Sequence, residues 1–400
     1  MRIREQHGMI TQRFAPFIHK AGFNIPLAID LGINNAPTVF AAGAELKAAF
    51  CLTKDGYAIL GPTIGDMRSK EAIIFYKEGM KDIIKAFEID PDIIAHDLHP
   101  NYWTTQFAKQ ISDSKEPPIQ SIQVQHHHAH IASCMAEHGI RGNVLGVAMD
   151  GTSNGQDGKI WGGEFLIADE TDFERFAHLE YMPMPGGEMA IKEPFRMAFS
   201  YIYHTFEGGY GAEIEFAKRF DQGVLKTFID MMRGKINSPL TSSCGRLFDA
   251  VSSIIGIKDI ITFEGEAAIS MERVASANVS GSYGFEIKGF NPYIIDVKPM
   301  IKEVVEDASK GKAISDIAGA FHNTIADIIL AVSKNARRDK SIDRVILTGG
   351  CFQNALLLGK AVPRLADNGF HVFTHRVVPP NDGGICIGQA LIASSMAKGI

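Results

Sequence analysis

"NVLGVAMDGTSNGQDGKIWGGEFLIAD", residues Asn143 to Asp169, decides how the chain is divided. Its opening apolar run is short, stops at Asp150 and Gly151, and reads as a buried strand. The glycine-bearing stretch after it is a turn, and "KIWGGEFLIAD" is a second strand. "RFAHLEYMP", from Arg175 to Pro183, supplies a third. Working backward, the same plan appears once before. "TVFAAG" (38–43), "LKAAFCLT" (46–53) and "GYAILG" (56–61) are three β-rich runs, with a hairpin turn at Lys54 to Gly56. They lead into the helical spacing of "SKEAIIFYKEGMKDIIKAFE", the buried strand "DIIAHD" and the helix "NYWTTQFAKQI". Working forward, the chain is mostly helical from Gly186 to about Lys258. It then continues through the long amphipathic helix "GKAISDIAGAFHNTIADIILAVSKNARR", the strand "RVILTGG", the helix "CFQNALLLGKAVPRLAD", the strand "HVFTH" and a last helix after "NDGG". Each half thus runs three strands, helix, strand, helix, which predicts an α/β protein of two lobes. The expected division is a leader at 1–37, an N-terminal lobe at 38–142, and a C-terminal lobe at 143–400 carrying a helical insertion at about 186–258.

The 400 residues are 46% hydrophobic and 22% charged, enough to bury a large core. Forty Lys and Arg stand against 46 Asp and Glu, for a net charge of −6. The summed field offers nucleic acid or an anionic membrane no general attraction, so no nucleic-acid partner is expected. No apolar run approaches the roughly 20 residues of a bilayer span. The N-terminus, "MRIREQHGMITQRF", lacks the apolar core of a secretory signal, and the expected location is cytoplasmic. Cys51, Cys134, Cys244, Cys351 and Cys386 are scattered, without a C-x-x-C pair. They read as small buried side chains rather than a disulfide framework or a cysteine zinc site.

Three glycine turns follow predicted strands: "DGTSNGQDG" (150–158), "LTGGCFQN" (347–354) and "PPNDGGICIG" (379–388). Such turns let backbone N–H groups approach phosphate, and helix N-termini favour the anion. Between two lobes they predict a nucleotide cleft.

The stretch "VQHHHAHIAS", Val124 to Ser133, carries four histidines. On a helix His126 and His130 stand at i and i+4, one turn apart on one face, a spacing that suits two ligands of one metal. No Glu follows the first histidine, which argues against zinc-protease chemistry. Two imidazoles need further ligands, and the strand-end carboxylates Asp150 and Asp382 are the candidates. A set of two histidines with one or two aspartates suits iron or zinc better than magnesium. His96 and His99 in "HDLHP" are a second polar cluster, and Lys47, Lys192 and Arg196 are candidate phosphate contacts.

These residues lie in longer motifs: "VQHHHAHIASCMAEHG", "LGVAMDGTSNGQDGKIWGGEFL", "PMPGGEMAIKEPFRMA", "NSPLTSSCGRLFDAVSSIIG", "TFEGEAAI", "LTGGCFQN" and "VPPNDGGICIGQA", with "AAGAELKAAFCL" and "IAHDLHPNY" before them. Together they resemble the C-terminal transferase domain of HypF, the carbamoyltransferase of nickel–iron hydrogenase maturation. The likeness runs in order from about Val39 to Ala393. More distantly the chain is similar to TsaD-like proteins. Through them it is similar to the actin and sugar-kinase (ASKHA) fold of duplicated ribonuclease-H-like domains. The resemblance implies that a separate YrdC-like enzyme or domain makes carbamoyl-adenylate from carbamoyl phosphate and ATP. The TsaD-like part would then pass the carbamoyl group to the C-terminal cysteine of a HypE-like protein, on the way to the cyanide ligand of the hydrogenase iron. It also implies that His126, His130, Asp150 and Asp382 hold the metal. The adenosine part of the carbamoyl-adenylate, ATP or AMP would lie against Gly349, Gly350 and Asn354, with its ribose near Asp249 and Gly265.

The sequence departs from the family in three ways. No acylphosphatase domain, paired cysteine fingers or YrdC-like domain precedes Val39, so the chain reads as an excised domain or a naturally separate subunit. Ser153 and Asn154 replace the more usual Gly-Tyr in the first glycine turn, and Glu188 stands where Asp is common. These changes leave room for a small-molecule acceptor; a third reading is a non-catalytic nucleotide-binding scaffold. Retention of the full ligand set weighs against the scaffold.

Overall fold

The structure is a computed structural model that describes residues 27–208 and 214–399. It forms two compact units. The first contains a six-stranded sheet built from β1 (Ala28–Asp30), β2 (Val39–Ala41), β3 (Cys51–Lys54), β4 (Tyr57–Leu60), β5 (Ile93–Asp97) and β6 (Gln120–Val124), in the order β1-β4-β3-β2-β5-β6. β2, β3 and β4 are an antiparallel meander, while β5 runs parallel to β2 and β6 parallel to β5. The hairpin between β3 and β4 turns at Asp55 and Gly56, both at positive φ, as a tight "KDG" turn requires. Parallel neighbours need a crossover, supplied by the helices Lys70–Phe87 and Trp103–Asp113. Tyr76 from the first of these is fully buried among Phe50, Trp103 and Phe107, and its hydroxyl donates to the Ala42 carbonyl at 2.8 Å.

The second unit repeats the plan. Its sheet is built on β7 (Val144–Asn154), β8 (Ile160–Ala168) and β9 (Phe173–Leu179), followed by the short pair β10 (Met182–Pro183) and β11 (Leu240–Thr241). β12 (Glu286–Gly289), β13 (Tyr293–Asp296), β14 (Arg344–Thr348) and β15 (His371–Thr374) complete it. The main path is β12-β13-β9-β8-β7-β14-β15. Within it, β9-β8-β7-β14-β15 reproduces β4-β3-β2-β5-β6 strand for strand, and β14 is parallel to β7 as β5 is to β2. This duplicated order is the ribonuclease-H-like arrangement of the ASKHA fold predicted from sequence. The helices Met189–Lys192, Pro194–Thr205, Glu215–Lys218, Gln222–Gly234 and Cys244–Ile254 fall in the mostly helical stretch, and the long helix spans Ile314–Lys340.

The units do not divide the chain as the sequence pattern suggested. The segment Ala168–Phe173 and the chain from Phe373 onward pack with the first unit, not with the lobe expected to extend to residue 400. The reason is the last helix, Ile385–Lys398, which is buried along most of its length and lies against the helix His126–His138. Their backbones approach so closely at Gly388 that a Cβ there would sit 1.8 Å from the Ala129 carbonyl oxygen. The helix expected to begin at Cys351 also differs. Gly350–Gln353 forms a separate turn, and the helix proper, Ala355–Asp367, starts where the Asn354 side chain caps the Leu357 N–H at 2.8 Å. The leader up to residue 26 lies outside the described residues. Among the described residues, no helix is long and apolar enough to cross a membrane.

Candidate functional site

In the first unit, parallel pairing sets Asp97, at the end of β5, beside Val124, two residues before His126. Gln125 caps the histidine helix, its Oε1 accepting from the N–H groups of His127 at 2.6 Å and His128 at 3.0 Å. That cap fixes where the first turn starts and so which way its rings project. All four histidines of "HHHAH" are buried. His127 turns back to the Gln125 amide at 3.1 Å, and the His128 Nε2 donates to the Asp169 carbonyl at 2.7 Å. His126 and His130 share a face as the i, i+4 spacing predicted, with ring centroids 4.9 Å apart.

Asp382 meets them from the glycine turn before the last helix. Its Oδ1 lies 3.6 Å from His126 Nε2 and 3.7 Å from His130 Nε2. Those separations exceed a hydrogen bond. Two ligand atoms about 2.1 Å from one ion at a tetrahedral angle stand about 3.4 Å apart, close to what is seen. A further feature supports this fit. His126 Nδ1 lies 2.7 Å from Asp97 Oδ2, with the two side chains 2% and 0% exposed. A carboxylate there accepts the Nδ1–H hydrogen bond and leaves the Nε2 lone pair facing Asp382, the carboxylate–histidine arrangement that orients metal ligands. His130, His126 and Asp382 each offer a ligand atom within 4.8 Å of the others. The donor set of two imidazoles and a carboxylate fits iron or zinc.

The far end of the histidine helix holds the loop that delivers Asp382. Glu137 accepts the backbone N–H groups of Arg376 at 3.0 Å and Val377 at 2.5 Å, and lies 3.4 Å from the His375 ring. Burial raises its carboxyl, but the His375 and backbone hydrogen bonds outweigh burial and hold it below the usual carboxylate range. His138 Nε2 donates to the Thr374 carbonyl at 2.8 Å.

In the second unit, Asp150 ends the apolar run of β7, and its Oδ1 accepts the Gly350 N–H at 3.0 Å. Gly349 sits at φ 95°, and a Cβ there would lie 2.3 Å from the Met149 carbonyl oxygen, so the turn can only be glycine. The Ser243 hydroxyl donates to the Asp150 carbonyl at 3.1 Å. Asp249 is buried on the helix Cys244–Ile254 and pairs with Arg246 at 2.7 Å. Burial pushes its carboxyl up to about 6 against the opposing pull of Arg246. Gly265, at φ 79°, starts the helix Glu266–Val274. Asn354 is buried, its Oδ1 used as the cap and its Nδ2 2.9 Å from His322 Nε2.

Other expected contacts have local partners. His96 donates from Nδ1 to the Asp97 carbonyl at 2.8 Å, and His99 stacks on Tyr102 at 4.1 Å. Arg196 pairs with Glu193 at 2.5 Å and lies over the Phe228 ring. Lys47 takes a positive φ, and the Lys192 carbonyl accepts from Ile261. Four of the five cysteines are buried, and all are unbridged.

The family model described as HypF Kae1-like domain matches residues 34–137, and the one described as Carbamoyltransferase, Kae1-like Domain, second subdomain, matches residues 146–389. The chain belongs to the HypF carbamoyltransferase family. It is 33% identical to carbamoyltransferase HypF of Synechocystis sp. over 94% of this chain and 49% of the relative. A carbamoyltransferase HypF homolog of Cupriavidus necator is 32% identical over 91% of this chain and 93% of its own length. The chain spans about half the length of most of the curated HypF relatives it matches. A crystal structure of full-length HypF in its phosphate- and nucleotide-bound form superposes with a TM-score of 0.87 at 38% identity, over 93% of this chain and 57% of that one.

Sequence reasoning missed two residues of this candidate site, Asp97 and Glu137. The signal for Asp97 was present: an aspartate closing a buried parallel strand, the same mark that singled out Asp150. Glu137 carries no such mark, because a glutamate in the last turn of a helix reads as solvated surface.

Proposed function

We propose that the chain passes a carbamoyl group from carbamoyl-adenylate to the C-terminal cysteine thiol of a HypE-like protein. The observation that carries this reading is the cluster of buried His126 and His130 with half-buried Asp382, backed by Asp97, in a HypF-family chain. Asp150 is the proposed fourth ligand, and Gly349, Gly350, Asn354, Asp249 and Gly265 the proposed nucleotide contacts. Carbamoyl-adenylate is a mixed anhydride. The acceptor thiolate attacks the carbamoyl carbon, the bond to the phosphate oxygen breaks, and AMP leaves, so the enzyme needs no nucleophile of its own. Iron or zinc held by these residues would supply Lewis acidity to an anhydride oxygen. The protein's own part is to fix the tautomer and orientation of His126 through Asp97 so that Nε2 faces the ligand site, to hold the phosphate against the glycine turns, and to keep the reacting groups out of water.

The test supplies carbamoyl-adenylate from a separate YrdC-like enzyme and looks by mass spectrometry for a carbamoyl group on the C-terminal cysteine of a HypE-like protein. Modification is expected with the wild-type chain and absent when His126→Ala and His130→Ala are combined. AMP release without modification would move the acceptor to a small molecule. Full transfer by metal-free protein would overturn the metal assignment.

A further inference from the structure

His322 lies on the long helix Ile314–Lys340, outside the motifs that carry the family resemblance, and is fully buried. Its Nδ1 is 2.7 Å from the Ala318 carbonyl oxygen. A carbonyl only accepts, so Nδ1 carries the proton, and in the neutral ring Nε2 is then an acceptor. Facing Nε2 at 2.9 Å is Nδ2 of Asn354, which donates. The opposite end of the same amide, Oδ1, accepts the Leu357 N–H at 2.8 Å. Both ends of Asn354 are therefore fixed, and neither contact tolerates a flip of the amide: a flip would set oxygen against the Nε2 lone pair and NH₂ against the Leu357 N–H. One hydrogen of Nδ2 remains beyond the bond to His322.

The arrangement works only while the ring is neutral, because a protonated Nε2 would oppose the Asn354 donor. Burial lowers His322 to about 4, helped by the nearby charge of Lys360 and opposed by the Ala318 hydrogen bond. The ring also meets the edge of Phe248, the residue before Asp249, at 5.5 Å between centroids. One imidazole thus touches two of the three segments to which nucleotide contacts are assigned, those of Asn354 and Asp249.

We infer that His322 is a positioning residue for nucleotide binding. As a permanent neutral acceptor it sets the Asn354 amide so that its second Nδ2 hydrogen is offered to an acceptor atom of the adenosine moiety. This rests on the nucleotide reading of the "GGCFQN" turn. It goes beyond that reading in naming which hydrogen binds, which tautomer is required, and a residue that does not itself touch the ligand.

The experiment uses the full chain with two readouts. Calorimetric titration with AMP is run on wild type, His322→Leu, His322→Gln and Asn354→Leu. His322→Leu and Asn354→Leu should each weaken AMP binding by about tenfold or more, the loss of one buried hydrogen bond. The double variant should be no weaker than the worse single. His322→Gln, whose amide oxygen reaches the position of Nε2, should bind within a few-fold of wild type. Nitrogen-15 NMR of histidine-labelled protein should show His322 neutral with the proton on Nδ1 near neutral pH. In Asn354→Asp, the carboxylate should raise its pKa measurably. Wild-type affinity in His322→Leu, or a ring protonated on Nε2 near neutral pH, overturns the inference while leaving the nucleotide reading intact. Failure of the wild-type chain to bind AMP removes the nucleotide reading and the ligand role with it, and the NMR signature then reports separately on the His322–Asn354 bond.

Discussion

Asp97 Oδ2 and His126 Nδ1 stand 2.7 Å apart with both side chains buried, and this pair, rather than any single histidine, sets the direction of the candidate metal site. An imidazole on a helix can rotate about its own axis and present either nitrogen. A carboxylate on one nitrogen removes that choice.

Asp97→Asn should therefore lower zinc or iron(II) affinity by roughly 10–100-fold, the usual effect of losing an outer carboxylate. Competition with a chromophoric chelator measures it, and circular dichroism checks that the helix content is unchanged. Unaltered affinity would mean that packing alone orients His126.

Gly388→Ala adds a single methyl group where the Ala129 carbonyl oxygen would be 1.8 Å away. Two buried helices must separate to admit it, at a cost of about 1–3 kcal/mol by the usual scale of overpacking. The variant should show a lower melting temperature and weakened metal binding together, because Ala129 lies between His128 and the proposed ligand His130 on the displaced helix.

Arg175 is stacked 3.9 Å over Trp161 and paired at 2.7 Å with Glu164, which is fully buried and also accepts from the Ser242 hydroxyl at 2.5 Å. Arg175→Met would leave that carboxylate in the interior without its cation. A destabilisation of about 3–5 kcal/mol is expected. Urea unfolding followed by tryptophan fluorescence reads it, since the stack on Trp161 is lost in the same step.

Asp249 has its folded pKa raised to about 6 by burial. A raised carboxyl pKa means that the native state holds the proton more tightly than the unfolded chain, whose aspartate titrates near about 3.9. The stability that proton contributes is full below that lower value and is lost as pH rises through about 6. The stability of wild type minus that of Asp249→Asn should thus fall by roughly 1.4 kcal/mol per pH unit between about pH 4 and 6, then level off. The buried Arg246 adds a constant offset, so the slope is the quantity to read. A difference that is flat with pH would place the Asp249 carboxyl outside that range.

Much of the site was legible because each of its sequence signals is local. The i, i+4 spacing of His126 and His130 needs only a helix, and the aspartate closing β7 needs only the end of an apolar run. Asp382, expected at the end of a strand, stands instead in a glycine turn eight residues after β15, just before the last helix. What could not be read is non-local. Asp97 becomes important only when β5 pairs in register with β6, which carries the chain into His126. Glu137 matters because it binds backbone about 240 residues further along the chain. Likewise, the apolar pattern of Ile385–Lys398 announces a buried helix but not which sheet it covers, so it was assigned to the lobe that precedes it in sequence. The hydrogen bond from Asn354 to His322 was hidden for the same reason, since a histidine among apolar residues of a long helix looks like any core position.

The placement of the last helix against the histidine helix sets an order of events during synthesis. Asp382 is translated about 250 residues after His130. At the usual 5–20 residues per second, a ribosome takes roughly 10–50 seconds to cover that distance. Through that interval the apolar flank of the histidine helix has no mate, while the whole second unit emerges and can fold. The first unit is thus completed only after the second has emerged, and the imidazoles meet their carboxylate from the "NDGG" turn about 250 residues after they are made. A nascent chain stalled before Gly388 would expose that flank to chaperones and would hold metal poorly.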